Sequence, residues 1–369
     1  IEAKVASVAN HGLSLSDWVF ARLEVWAKTG GRIPGLSNFV LGNPWSRWVL
    51  ERTMGLSRYR RLPRATHRPF LKRAQKRGLT LANPHRPGPR VVYLVDVFAN
   101  HFDPDIAEST VDVLLHCGVN VYVPLKQRGS GMAALLSGDL DHARELATKN
   151  LRVLAPAVRD GYVVVCSEPT AALMLRQEYP RLADDLDAEL VARNTLDLGE
   201  YLRGLLARDG VPRPHLPLHA KVGYHQPCHL RVLEVGTPGM DLLRQIPELD
   251  VEFIDRGCSG MAGTYGMRRK NFRTSLRAGR ALLQRLGDDD LEIGATECGA
   301  CRLQMEQGST RKVYHPLKLL AMSYGLNPSL KPGFKEPKAR HVIISEETKT
   351  RTSLHDGSIS TSAWASKTT

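Results

Sequence analysis

The sequence predicts an α/β protein: two tandem, pseudo-symmetric α/β repeats with mostly parallel sheets, preceded by a basic helical segment. Three observations carry that expectation. Strand-like and helix-like runs alternate from Val91 to about residue 325, the order expected when helices cross over a parallel sheet. The same landmarks recur in both halves of that stretch. Ahead of it, residues 1–90 hold 17 Lys and Arg against 4 Asp and Glu, whereas the remainder holds 34 of each.

In the basic segment, "SLSDWVFARLEVWA" reads as one helix with Ser16 or Asp17 at its cap. Four of the five tryptophans, Trp18, Trp26, Trp45 and Trp48, lie here, and "NPHRPGPR" closes the segment as a Pro/Gly-rich boundary. "RVVYLVDVF" then reads as a strand, "DIAESTVDVLLHCG" as a helix ended by Gly118, and "VNVYVP" as a strand. "DLDHARELATKNLRVLA" follows as a helix and "GYVVVCS" as a strand. After the linker "LARDGVPRPHLPLHA" the pattern resumes. "KVGYHQPC" is a strand, a helix runs through "GMDLLRQI", "DVEFID" is a strand, "KNFRTSLRAGRALLQRL" a single helix and "LEIGAT" a strand. From about Lys331 the chain is polar and aperiodic, which predicts disorder. The expected divisions are 1–90, 91–210, 220–328 and 331–369.

At 369 residues and 42% hydrophobic the chain can bury a substantial core. No apolar run is long enough to span a bilayer. Six cysteines in this length do not make a disulfide scaffold, and a reducing, cytoplasmic setting suits them. No nucleic-acid motif accompanies the basic segment. Residue 1 is Ile and the chain opens within a helical pattern, which predicts a piece of a longer protein.

The repeat is most legible around its cysteines. Tyr93 pairs with Tyr224, which sets Val97 against Cys228. "QRGSGMA" pairs with "RGCSGMA", setting Gly129 against Cys258 and Ser130 against Ser259. "EPTAALMLR" pairs with "ECGACRLQM", setting Pro169 against Cys298 and Ala172 against Cys301. The first half lacks all four cysteines together, so they act as a set. Cys117 and Cys166 sit in apolar runs and read as inert buried thiols.

Four thiolates can complete a tetrahedral zinc site or supply one ligand to each iron of a four-iron cluster. Cys298-x-x-Cys301 follows a strand and opens a helix, where free N–H groups favour thiolate charge. Cys258 lies in "GCSGMAG", whose small residues let backbone approach a bulky core and donate hydrogen bonds. Strand-end loops converging on one edge of an open α/β sheet are the usual place for a site. His225 and His229 flank Cys228 and have two readings: hydrogen-bond donors to a bound cofactor, or satisfied histidines at a strand end. His315 reads as a helix-start residue. The "RGSGMA" of the first repeat is an anion loop or, more simply, a surviving turn in a scaffold. "WSRWVLERTMGLSRYRRLPR" suits an anionic membrane surface, an acidic partner or a solvated linker helix.

"YHQPCHLR", "GCSGMAGTYG", "TECGACRLQ" and "HPLKLL" resemble the successive landmarks of the cysteine-rich CCG domain. That domain occurs in one of the subunits of heterodisulfide reductase. It also occurs in iron–sulfur components of anaerobic glycerol-3-phosphate dehydrogenase, glycolate oxidase and D-lactate dehydrogenase. The resemblance covers about residues 91–325 as two copies, the first degenerate. It is strongest to the C-terminal part of fusion proteins joining an FAD-linked oxidase to iron–sulfur domains. In those a ferredoxin-like segment precedes the CCG pair, and no C-x-x-C-x-x-C-x-x-x-C-P run is present here.

The resemblance implies a [4Fe–4S] cluster on Cys228, Cys258, Cys298 and Cys301, with Ser259, Gly260, His225 and His229 beside it. It further implies FAD in an upstream domain or partner and electron flow from flavin towards quinone or another acceptor. The parent enzyme would be a flavin-linked dehydrogenase for a 2-hydroxyacid such as lactate or glycolate, or for glycerol-3-phosphate. Its FAD-linked oxidase and ferredoxin-type domains would be the partners, on the cytoplasmic side and peripheral to the inner face of the membrane. This part of the enzyme is not expected to be catalytic alone. The family's Cys-Cys-Gly is here Cys258-Ser259-Gly260. Five cysteines can build a non-cubane cluster, whereas four suffice for a cubane or for zinc. The alternatives are a structural zinc site in a scaffold module, and a thiol pair, Cys298–Cys301, that forms a disulfide reversibly.

Overall fold

In the computed structural model, which describes residues 2–183 and 185–326, two four-stranded sheets repeat one topology. The first contains β1 (Arg90–Leu94), β2 (Asn120–Tyr122), β3 (Val163–Cys166) and β4 (Thr195–Asp197) in the order β2-β1-β3-β4. The second contains β5 (Ala220–Tyr224), β6 (Leu249–Phe253), β7 (Ile293–Ala295) and β8 (Val313–Tyr314) in the order β6-β5-β7-β8. Every pairing within both sheets is parallel. The α/β class and the tandem repeat are therefore both present. Parallel strands are covered on both faces, and the β-branched run of β1 is buried from Val91 to Leu94. The tail expected from Lys331 lies outside the described residues.

The two sheets share one core. Val91, Tyr93 and Val121 of the first repeat belong to the same buried cluster as Val222, Tyr224 and Ile293 of the second. The helix Pro104–His116 packs against the helix Pro316–Ser323, and the helix Leu198–Leu206 against Pro238–Leu243. The repeats cannot be separated without exposing that apolar surface to water.

Several elements are shorter than the sequence patterns predict, each for a local reason. β1 stops at Leu94 because Asp96 starts a short helix, Val97–His101, by accepting the Phe98 N–H. β5 stops at Tyr224 because the helix Cys228–Leu233 begins directly after Pro227. The helix expected over 270–286 is two, Phe272–Ala278 and Arg280–Gly287, broken at Gly279 where the Ser259 carbonyl packs against the backbone.

The "SLSDWVFARLEVWA" helix is also two, Leu15–Ala21 and Leu23–Gly30. Arg22 between them leaves helical geometry, pairs with Asp139 at 2.9 Å and lies over the Trp18 ring. The cap is Ser14 rather than Ser16 or Asp17: its Oγ accepts the Asp17 N–H at 3.1 Å. Asp17 is instead a buried ion-pair centre.

Candidate metal centre

Three adjacent parallel strands deliver the four cysteines to one edge of the second sheet. Cys228 follows β5, Cys258 follows β6, and Cys298 and Cys301 follow β7. In the order β6-β5-β7-β8 the connection out of β5 leads to β6 on one side and the connection out of β6 crosses to β7 on the other, and such a switch point opens a crevice beyond the carboxyl ends of the strands. Cys228 is exposed, Cys258 and Cys298 are half-buried and Cys301 is buried, so the edge opens to solvent on the Cys228 side.

The sulfurs sit as two neighbouring pairs. Cys228 Sγ lies 3.6 Å from Cys258 Sγ, and Cys298 interacts with Cys301. Ser259 Oγ donates to Cys301 Sγ at 3.1 Å, and the Gly260 N–H donates to Cys258 Sγ at 3.2 Å. Gly260 has φ 84°, and a Cβ there would lie 2.1 Å from the Ser275 carbonyl, so the loop needs glycine for its fit to the neighbouring helix. Among the described residues no three His, Cys, Asp or Glu side chains stand ready around a single ion.

The hydrogen bond between Cys228 and Cys258 divides one proton unequally, raising Cys228 and lowering Cys258. The Gly260 N–H adds to the preference for charge on Cys258. Its hydrogen bond with Cys301, followed by burial, pushes Cys298 well above the ordinary thiol range. Burial holds the His225 imidazole neutral, down to about 4, and its Nε2 has no hydrogen-bond partner. His229 differs: its Nδ1 meets Thr170 Oγ1 of the first repeat at 2.8 Å. His315 caps the helix Pro316–Ser323, with Nδ1 accepting from Leu317 N–H and Nε2 donating to the Ser167 carbonyl at 2.9 Å.

This donor set suits a soft metal or an iron–sulfur core. Two pairs of thiols share one sheet edge, an N–H and an O–H already point at sulfur, and a buried, unpartnered imidazole nitrogen stands near Cys258.

The corresponding edge of the first repeat is filled by protein. A Cβ on Gly129, the counterpart of Cys258, would lie 2.8 Å from Val97 Cγ2, the counterpart of Cys228. The two positions are neighbours, as the paired cysteines are. Glu24, from the helix Leu23–Gly30, accepts the Gly129 N–H at 2.9 Å. The Gly129 N–H of that glycine-rich loop is thus taken by an internal carboxylate.

Four residues of the first repeat reach the cysteine edge of the second without having been singled out by sequence. Glu168 Oε2 accepts the Gly299 N–H at 2.9 Å, inside the Cys298–Cys301 turn. The Phe98 ring packs on Gly299, where a Cβ would come within 2.5 Å of it. Thr170 holds His229. Asp103 pairs with both Arg302 and Lys318, the latter at 2.9 Å. A signal for Glu168 was present: it aligns with Glu297, the residue before Cys298.

Residues 222–306, which contain all four clustered cysteines, match the family model for the cysteine-rich domain, CCG. Over those residues the chain is similar to the CCG domain. The similarity to individual proteins runs over longer stretches of the chain. The chain is 29% identical over 235 residues to a subunit of the anaerobic glycerol-3-phosphate dehydrogenase of Escherichia coli (strain K12), covering 63% of this chain and 59% of that protein. It is 29% identical over 243 residues to lactate utilization protein A of Shouchella clausii, covering 62% of this chain and 98% of the relative. It is 25% identical over 319 residues to D-2-hydroxyglutarate dehydrogenase of Pseudomonas putida, covering 83% of this chain but 30% of that protein. The chain thus spans less than two thirds of the glycerol-3-phosphate dehydrogenase relative. No described helix is long and apolar enough to cross a membrane.

Proposed function

We propose that this protein is the iron–sulfur electron-transfer module of a flavin-linked dehydrogenase. The observation that carries the reading is the delivery of four thiols to one sheet edge by three adjacent strands, with hydrogen-bond donors on the sulfurs. Cys228, Cys258, Cys298 and Cys301 would hold a [4Fe–4S] cluster, which when bound supplies one-electron transfer. The chain's own groups set its environment: Gly260 N–H and Ser259 O–H donate to ligand sulfurs, and His225 Nε2 is free to donate to the cofactor.

The parent enzyme would oxidise a 2-hydroxyacid such as lactate or glycolate, or glycerol-3-phosphate, at FAD in an upstream domain or partner. Three relatives, named for glycerol-3-phosphate dehydrogenase, lactate utilization and D-2-hydroxyglutarate dehydrogenase, support that class. Electrons would arrive through a ferredoxin-type domain and leave towards quinone or another acceptor. The chain divides into a docking segment 1–90, a scaffold repeat 91–210 and the cofactor repeat 220–328. Trp26, Phe39, Trp45 and Trp48 are exposed on the first of these among its arginines, which supports docking to a partner domain or to the cytoplasmic face of the membrane.

The test is anaerobic purification with metal analysis and low-temperature EPR, on this chain and on Cys298→Ser. Iron and sulfide at about four per chain, with a reducible signal lost in the variant, are expected. About one zinc per chain and no signal would replace the redox reading with a structural zinc site. Folded protein without metal would overturn both.

A further inference from the structure

The helix Gly299–Ser309 has Cys298 at its N-cap position and receives no cap from that side chain. Its first N–H groups are orphans by geometry, and in a buried turn an unpaired N–H is costly. The missing acceptor comes from 131 residues away: Glu168 Oε2, from the first repeat, takes the Gly299 N–H at 2.9 Å.

Glu168 is free to do this because of what replaced the cysteine in its own repeat. Glu168 stands at the N-cap position of the helix Pro169–Leu173 and makes no cap hydrogen bond there. Pro169 occupies the first helical position and has no N–H to offer. The carboxyl crosses to the other repeat instead, with Oε1 accepting from Thr170 Oγ1 at 3.2 Å. Its counterpart Glu297 stays within its own repeat, where Oε1 accepts from the Tyr224 hydroxyl at 2.8 Å. The two equivalent glutamates have different tasks. Phe98 closes the same joint, since its ring lies where any side chain at residue 299 would go.

We infer that the cysteine-free repeat supplies a positioning residue to the centre, Glu168, which fixes the Cys298–Cys301 turn in the conformation that presents both sulfurs. The inference rests on the metal reading of the four cysteines. It explains why a repeat without ligands is present: it completes the half of the site that the ligand-bearing repeat cannot build.

The experiment compares full-length wild type, Glu168→Ala, Glu168→Gln and Glu168→Asp, all purified anaerobically, for iron release to a chelator and for the EPR line shape of the reduced protein. The glutamine side chain keeps an oxygen able to accept the Gly299 N–H, so that variant should release iron within about twofold of wild type. Losing such a support costs about 10- to 100-fold in metal retention. Glu168→Ala should therefore release iron at least about tenfold faster and show an altered line shape, a change that general loosening of the fold would not produce. A folded Glu168→Ala protein with the wild-type release rate and line shape would overturn the inference. Should that variant fail to fold, Glu168→Asp decides: its carboxylate is drawn back by one methylene, and wild-type behaviour in it would overturn the inference equally. A folded wild type without iron would overturn the metal reading itself, a separate result.

Discussion

Ser259 shows how much one side chain can say about the centre. It is fully buried, and its hydroxyl donates to Cys301 Sγ at 3.1 Å. A donor on a ligand sulfur draws negative charge from it and favours the reduced state. Ser259→Ala should therefore lower the one-electron midpoint potential of the proposed cluster. A hydrogen bond worth about 0.5–1.5 kcal/mol corresponds to roughly 20–60 mV for one electron. An EPR-monitored redox titration checks this, and an unchanged or raised potential would refute the donor role. At this scale the sequence was informative where residues were missing as a group, which is how Cys228, Cys258, Cys298 and Cys301 stand out against Val97, Gly129, Pro169 and Ala172. It was uninformative about Glu168, because a carboxyl's target depends on a neighbour brought near only by the packing of two repeats. Sequence spacing also assigned the first N–H groups of the Cys298 helix to thiolate charge. The Gly299 N–H goes to Glu168 instead.

The elements were legible by type, and their limits were not. Alternating apolar runs and helical periodicity place six of the eight strands, because a parallel sheet covered on both faces needs continuous β-branched segments such as "VVVC"; β4 and β8, three and two residues long, carry no such run and were not read from the sequence. Breaks inside helices come instead from contacts that only the fold creates. Gly279 is the clearest case. A Cβ there would meet the Ser259 carbonyl at 2.1 Å and the Gln304 amide at 3.4 Å. The break lets the helix Phe272–Ala278 pack under the Cys258–Gly260 loop, where Gly260 makes the reciprocal close contact with Ser275. Gly279→Ala should force the loop and helix apart, at a cost of about 2–4 kcal/mol. Chemical denaturation measures it. If loss of metal is followed in the same variant, its release should accelerate, because the displaced loop carries Cys258. A stability within about 0.5 kcal/mol of wild type would show that the joint relaxes without strain.

At the scale of the whole molecule, the basic segment is fastened to the CCG-like domain by buried charge. Arg60 is buried, donating to the Gly266 carbonyl at 2.9 Å and to Ser275 Oγ at 3.1 Å. It also reaches Gln304 of the Cys298 helix. Leu56 forms an isolated antiparallel bridge with Arg268. Asp17 completes the clasp, receiving Lys4 Nζ at 2.7 Å, Ser14 Oγ at 2.6 Å and Arg268 Nη2 at 2.5 Å. None of this is visible in composition, which shows 17 basic residues and suggests a solvated face. The clasp has a pH signature. Burial alone would raise the Asp17 carboxyl, but the hydrogen bonds from Lys4, Ser14 and Arg268 outweigh it and bring the pKa to about 2, from 3.8. A depressed folded-state value means that the native protein binds fewer protons than the unfolded chain between those pH values. The stabilisation is therefore present above pH 4 and is lost as pH falls towards 2. Each pH unit between the folded and unfolded values is worth about 1.4 kcal/mol, and solvent access through Lys4 discounts the sum to about 1–2 kcal/mol. Asp17→Asn should be less stable than wild type by that amount at pH 7, with the gap closing between pH 4 and pH 2. Urea denaturation at pH 7, 4, 3 and 2 measures it directly. A gap that persists unchanged to pH 2 would mean that the asparagine loses packing rather than charge, and that the clasp is held by shape.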